Sequence, residues 1–184
     1  ALVKPSDGGT IAALDFRPRD VTLINSFERR PEAYHARLRQ AAADAGGIAS
    51  IHEQTRVKEP GLAERLRYDR WPRHAFRLLL FPPWKRIADY EAVMLEESAA
   101  FAAGAYECTA ASGKGVDLVC EGPLHGPTTL GELADPELRV VKKYSFTGAG
   151  DGFAVECDFS NAQREGPPLK LQVGLEIVLN LLAA

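Results

Sequence analysis

The sequence predicts a mainly β fold: a large antiparallel β-sandwich with one helix near the N-terminus. Three observations carry that prediction. Across 153–160, Phe153, Val155, Cys157 and Phe159 share one face while Glu156, Asp158 and Ser160 take the other. Across 169–181, Leu169, Leu171, Val173, Leu175, Ile177, Leu179 and Leu181 alternate with Lys170, Gln172, Gly174, Glu176 and Asn180. A strand of that length would run about 43 Å at ~3.3 Å per residue, a reach that belongs to broad, twisted sheets. From residue 105 onward, turn residues cut the chain into short strand-like segments, which is sandwich spacing.

The bulk properties narrow the class. At 184 residues the expectation is a single β-sandwich domain over 1–184. With 46% hydrophobic and 26% charged residues the chain can bury a core. A net charge of −3, from 22 basic and 25 acidic residues, gives no phosphate-tracking surface, so no nucleic-acid partner is expected. No apolar run approaches the ~18 residues of a membrane helix, and no signal-peptide pattern is visible. Cys108, Cys120 and Cys157 form no CxxC and read as reduced thiols of a cytoplasmic protein. Metal-ligand spacing, GxSxG, HExxH, the P-loop and GxGxxG are all missing from the sequence, so neither metal nor cofactor is expected.

Taken in order, 5–9 (Pro-Ser-Asp-Gly-Gly) is a turn, and 10–16 follows as a strand with Leu14 and Phe16 on one face. Arg17-Pro-Arg-Asp ends it, and 21–24 reads as a second short strand. Pro31 suits a first helical position, and 32–45, rich in alanine, leucine and arginine and stopped by Gly46-Gly47, is the predicted helix. Pro82-Pro83 closes the apolar run 75–81. Residues 87–101 have helical composition but weak periodicity. Strands are then expected at 105–109, 116–121, 138–146, 152–161 and 169–182, with 122–131 as a loop and Asp151-Gly152 as a hairpin turn.

Four constellations could carry chemistry. Glu32 and His35 lie three apart and so share a helix face, for ligand contact or acid–base work, or simply as a helix-start carboxylate with a packed histidine. His52 and Glu53 are adjacent in an extended segment and point to opposite faces, so at most one of them reaches a cleft. The stretch 66–76 (Leu-Arg-Tyr-Asp-Arg-Trp-Pro-Arg-His-Ala-Phe) packs flat rings beside planar donors and a carboxylate, as a sugar site requires. There Tyr68, Arg70, Trp71 and Arg73 are the candidate sugar contacts, with Asp69 anchoring an arginine. The alternative is a salt-bridge network holding a long connection in place. Lys142-Lys143-Tyr144 reads as a solvated strand face.

In order and spacing, several segments resemble the C-terminal β-sandwich region of glycoside hydrolase family 57 enzymes, the α-amylase and 4-α-glucanotransferase branch. They are Gly8-Gly-Thr-Ile-Ala-Ala-Leu-Asp-Phe-Arg-Pro18, Arg30-Pro-Glu-Ala-Tyr-His35, Ile51-His-Glu53, 66–76, Val141-Lys-Lys-Tyr144 and Val173-Gly-Leu-Glu-Ile-Val-Leu-Asn-Leu181. The resemblance implies a galactose mutarotase-like supersandwich, set beside an upstream catalytic barrel of the same polypeptide that carries a glutamate nucleophile and an aspartate acid/base. No residue of this chain inherits either role. After Phe76 the family tends to carry an aspartate–histidine pair where this chain has Leu78-Leu79, which removes a polar contact. The start at Ala1 without methionine, and the stop soon after Leu182, read as the limits of a fragment or of a shortened relative.

The functional expectation is therefore a non-catalytic domain associated with α-glucan or maltooligosaccharide. Its candidate contacts are Glu32, His35, His52, Tyr68, Arg70, Trp71 and Arg73. Two alternatives stand beside it: a scaffold module without ligand, and a mutarotase-type sugar epimerase using a histidine and a glutamate as acid and base.

Overall fold

The computed structural model describes residues 1–25, 27–44, 61–91, 99–124, 137–148, 152–162 and 170–180. The chain divides into two compact units, one formed by 1–27 with 71–184 and the other by 28–70.

The larger unit is built from antiparallel strands. Strands β1 (Leu2–Lys4), β2 (Thr10–Phe16) and β3 (Val21–Asn25) pair in that order. Strand β4 (Arg77–Phe81) pairs with β9 (Gln172–Glu176). Strands β5 (Glu107–Ser112), β6 (Gly115–Pro123), β7 (Glu137–Phe146) and β8 (Phe153–Asn161) form a four-stranded meander. Two short helices, α2 (Ile87–Glu91) and α3 (Ala99–Ala102), lie between β4 and β5 in the chain. The smaller unit carries α1 (Ala33–Asp44), the helix the sequence predicts.

One core joins the sheets. Ile11, Ile24, Leu78, Leu80, Phe101, Leu118 and Val140 come from all three sheets and α3, and each is almost wholly buried. Each such side chain contributes roughly 1.5–3 kcal/mol relative to exposure. Phe76 sits edge-on to Tyr144 and Phe153, with ring centroids 6.1 and 5.5 Å apart, the geometry that ring quadrupoles favour. The meander thus faces the other two sheets across apolar side chains, as a sandwich does.

The alternation-based expectations for β2, β3, β7 and β8 hold to within a residue. Two others are corrected. The long terminal strand is only the five residues of β9. Its partner β4 begins at Arg77, and Phe76 before it takes a left-handed φ of 63°. The ladder therefore ends at Arg77↔Glu176, with one last bond from Phe76 N–H to the Glu176 carbonyl at 2.6 Å. Beyond it the tail runs beside β3, where the Asn180 N–H donates to the Leu23 carbonyl at 2.8 Å.

Lys142-Lys143-Tyr144 is not a solvated face either. Leu138, Val140, Lys142 and Tyr144 share the inward face of β7, and Lys142 and Tyr144 are 0% and 1% exposed. Main-chain carbonyls make this tolerable. The Lys142 ammonium donates to Gly8 O at 2.7 Å and Phe76 O at 3.0 Å and lies over the Tyr106 ring. The Tyr144 hydroxyl donates to Gly9 O at 2.6 Å. Lys143 alone of the three faces outward, paired with Asp158 at 3.1 Å.

Candidate functional site

The larger unit contains a cleft of about 490 Å³ along the β4–β9 ribbon, within the usual range for small-molecule sites. Its floor follows from the register. Leu79 and Phe81 of β4 share a face with Gln172, Gly174 and Glu176 of β9. Gly174 pairs with Leu79, and a Cβ there would stand 3.3 Å from the Phe81 ring, so the missing side chain keeps the floor open. Pro82 ends β4, the Lys85 N–H closes a turn onto its carbonyl at 3.2 Å, and the Asp89 carboxylate accepts the Arg86 N–H at 2.8 Å. That turn leads into α2 and brings Lys85, Arg86, Ile87 and Tyr90 to the wall.

Polar groups punctuate this apolar surface. The Glu176 side chain lines the cleft although it is only 8% exposed, and it pairs with Arg73 Nη1 at 3.4 Å. The Arg73 guanidinium lies over the Phe27 ring, 5.7 Å from its centroid, and the Arg73 N–H donates to the Phe27 carbonyl at 2.7 Å. Gln172 Nε2 donates to Pro83 O at 2.9 Å, tying β9 to the turn and leaving the amide oxygen as an acceptor. The cleft thus combines a buried carboxylate that accepts, guanidinium groups that donate, and two aromatic rings.

At the start of β4 a buried polar network fixes the strand. Arg77, 0% exposed, makes a two-point pair with Asp7 at 3.0 and 3.1 Å, donates to Pro72 O at 3.0 Å and to Ala102 O, and stacks over Trp71. His74 Nδ1 is 2.8 Å from Asp7 Oδ2 and 3.0 Å from Thr10 Oγ1, whose hydroxyl donates to Asp7 O. Burial holds the His74 imidazole below its ordinary pKa, against the opposing pull of Asp7. The neutral ring therefore carries its proton on Nδ1 and donates it to Asp7. Burial also lowers the Lys142 ammonium to about 8 and raises the thiols of Cys120 and Cys157.

The expected contact residues fall in different places. Glu32, His35, Tyr68 and Arg70 belong to the smaller unit, Trp71 and Arg73 to the larger, and His52 (with Glu53) lies outside the described residues. His35 Nδ1 accepts the Glu32 N–H at 3.0 Å, and its ring lies 5.5 Å from that of Tyr68. Arg39 covers the Tyr68 ring at 5.2 Å, and Arg77 covers that of Trp71 at 5.0 Å. Asp69 does anchor an arginine, but the partner is Arg29, forty residues earlier in the chain, through Nη2 at 2.6 Å and the main-chain N–H at 2.8 Å. Among the described residues of the expected set, only Arg73 lines the cleft. Glu176, Gln172 and Tyr90 escape sequence reading because the first two occupy the polar phase of an alternating strand. The basic–aromatic run Trp84-Lys-Arg-Ile-Ala-Asp-Tyr90 is the signal that could have pointed to the wall.

Comparison with known proteins decides the family. The model of the alpha-amylase/4-alpha-glucanotransferase C-terminal domain matches residues 1–184. The chain belongs to that family. Alpha-amylase 1 of Dictyoglomus thermophilum is 38% identical over 79 residues, 43% of this chain and 11% of the amylase. The crystal structure of 4-alpha-glucanotransferase from Thermococcus litoralis superposes with a TM-score of 0.72 at 25% identity, covering 96% of this chain and 24% of the other. This C-terminal domain thus spans about a quarter of the glucanotransferase's length and a smaller share of the amylase's. Among the described residues the three cysteines are free, no helix is long and apolar enough to cross a membrane, and no group of acidic, histidine and cysteine residues is arranged to hold a metal ion.

Proposed function

We propose that this chain is the non-catalytic, carbohydrate-associated domain of a cytoplasmic α-glucan-processing enzyme of the α-amylase or 4-α-glucanotransferase type. It supports the catalytic barrel of the same polypeptide and meets α-glucan itself. The observation that carries this reading is the family match along residues 1–184. The chain supplies what such a role asks for: a rigid sandwich and a cleft with both apolar and hydrogen-bonding walls. Of the contact residues expected from sequence, Arg73 is central to this reading. Isothermal titration of the folded chain with maltooligosaccharides tests it. Saturable heat at millimolar ligand or below is the expected result, and none from folded protein removes the glucan contact.

A second reading, a scaffold without ligand, draws on one observation. Val173, Leu175, Ile177 and Leu179 are 52%, 39%, 52% and 53% exposed at alternate positions of the terminal segment. Such an apolar ribbon suits a protein partner. If titration is silent and polar substitution of Leu175 and Ile177 raises solubility without loss of stability, the scaffold reading holds.

A further inference from the structure

We infer that the β4–β9–α2 cleft is the carbohydrate subsite of this domain, and that it takes a short stretch of neutral α-glucan. The inference rests on the accessory-domain reading and adds the place and the chemistry. A glucosyl ring has apolar C–H faces and a belt of hydroxyls, each of which both donates and accepts. The cleft answers both. Leu79 and Phe81 make an apolar floor, and Tyr90 adds a second ring on the α2 wall. Carbohydrate C–H faces pack on such surfaces while the hydroxyl edge stays free for hydrogen bonds.

The hydroxyl edge finds fixed partners. Glu176, more than nine-tenths buried, presents an acceptor-only carboxylate, and Arg73 beside it holds planar donors in place by its contacts with Phe27. Gln172 contributes its amide oxygen, with its nitrogen already committed to Pro83 O. Lys85 and Arg86 add donors on the turn side. An apolar protein segment in the same cleft would exclude water from the Gln172 amide oxygen and leave the Glu176 carboxylate with Arg73 as its charge partner but its remaining lone pairs unmet. A polyhydroxyl ligand replaces the water they lose. Gly174 provides the volume, because any side chain there projects toward Phe81 and Leu79.

Titration of maltoheptaose into the 184-residue chain and four variants tests the assignment. Glu176→Gln and Tyr90→Ala should each weaken binding at least tenfold, and Gly174→Val should abolish it by filling the floor. Phe159→Ser, which removes an exposed ring on β8, should leave it unchanged. Melting curves confirm that each variant is folded, and Tyr90→Ala tests the cleft without touching the Glu176–Arg73 pair. Wild-type affinity in all three cleft variants overturns the cleft while leaving the accessory-domain reading standing. Silence from the wild-type chain overturns both. A Gly174→Val variant that melts higher and binds as well as wild type shows the cleft to be a packing gap and also overturns the assignment.

Discussion

Asp7 and Arg77 stand 70 residues apart yet form a two-point ion pair, Nη1 to Oδ1 at 3.0 Å and Nη2 to Oδ2 at 3.1 Å. The pair joins the turn before β2 to the first residue of β4, the strand whose Leu79 and Phe81 floor the cleft. Thr10, His74 and Lys142 gather around it, so a polar knot rather than an apolar contact sets where β4 begins.

Breaking the knot from one side should be costly. Asp7→Asn leaves the fully buried Arg77 guanidinium without its counter-charge, a loss of about 3–5 kcal/mol. Pairing it with Arg77→Met should recover part of that loss, because the double variant no longer buries an unmatched charge. Urea unfolding of the two single variants and the double variant reads this directly. A cost under about 1 kcal/mol for Asp7→Asn would show the pair to be incidental.

His74 should make the domain acid-sensitive. Its pKa in the folded chain lies below the ordinary 6.5, chiefly through burial, with Arg77 and Lys4 adding to the effect and Asp7 opposing it. As pH falls below 6.5 the unfolded chain takes up this proton first, so native stability declines until the folded-state value is passed. His74→Gln keeps a donor toward Asp7 and removes the titration. Between pH 7.5 and 5.5 the wild type should therefore lose more stability than the variant. Parallel losses in the two proteins would dismiss His74 as the cause.

Lys142 should act with the same sign in a different window. Its folded-state pKa is about 8 against an ordinary 10.5, so between these values the native chain has released a proton the unfolded chain still holds. Stability from this group rises with pH across that window, by on the order of 3 kcal/mol in all. The raised values of Tyr106, Tyr144, Cys120 and Cys157 work oppositely at alkaline pH, so the comparison must be with Lys142→Met, in which burial still raises all four. There the two thiols, released from the lowering pull of the Lys142 charge, rise further and shift the gap in the same direction. The gap between wild type and variant should move in the wild type's favour from pH 8 to pH 10. A constant gap would mean that Lys142 keeps an ordinary pKa.

These groups also mark how far the sequence could be read. Strands β2, β7 and β8 are legible because period-two alternation is a local property, written into consecutive residues. Strand β1 is three residues, too short to show a period. The end of β9 is invisible in its own sequence, since the alternation continues through Leu179 while the pairing stops at the left-handed Phe76 on the other strand. Lys142 reads as solvated because only the fold brings the Gly8 and Phe76 carbonyls to its ammonium. In the cleft, Arg73 was legible from its aromatic and basic neighbours. Glu176 was not, because facing a cleft and facing solvent give the same pattern.

Gly8 offers the sharpest test of the knot's geometry. It sits at φ +66°, a conformation that costs a side-chain-bearing residue about 1 kcal/mol, and a Cβ there would collide with the Ala102 carbonyl and stand 3.2 Å from Arg77 Nη1. The glycine cannot shift to make room. Its N–H donates to Gly104 O at 2.8 Å, and its own carbonyl accepts Lys142 Nζ at 2.7 Å. Gly8→Ala should therefore cost about 2–4 kcal/mol, the sum of backbone strain and overpacking. Gly113→Ala is the matched control, since a Cβ there meets nothing within 4 Å, and its effect should stay within about 0.5 kcal/mol. Thermal and urea melts of both variants decide the matter, and equal, small effects would mean that the turn before β2 yields where this packing says it cannot.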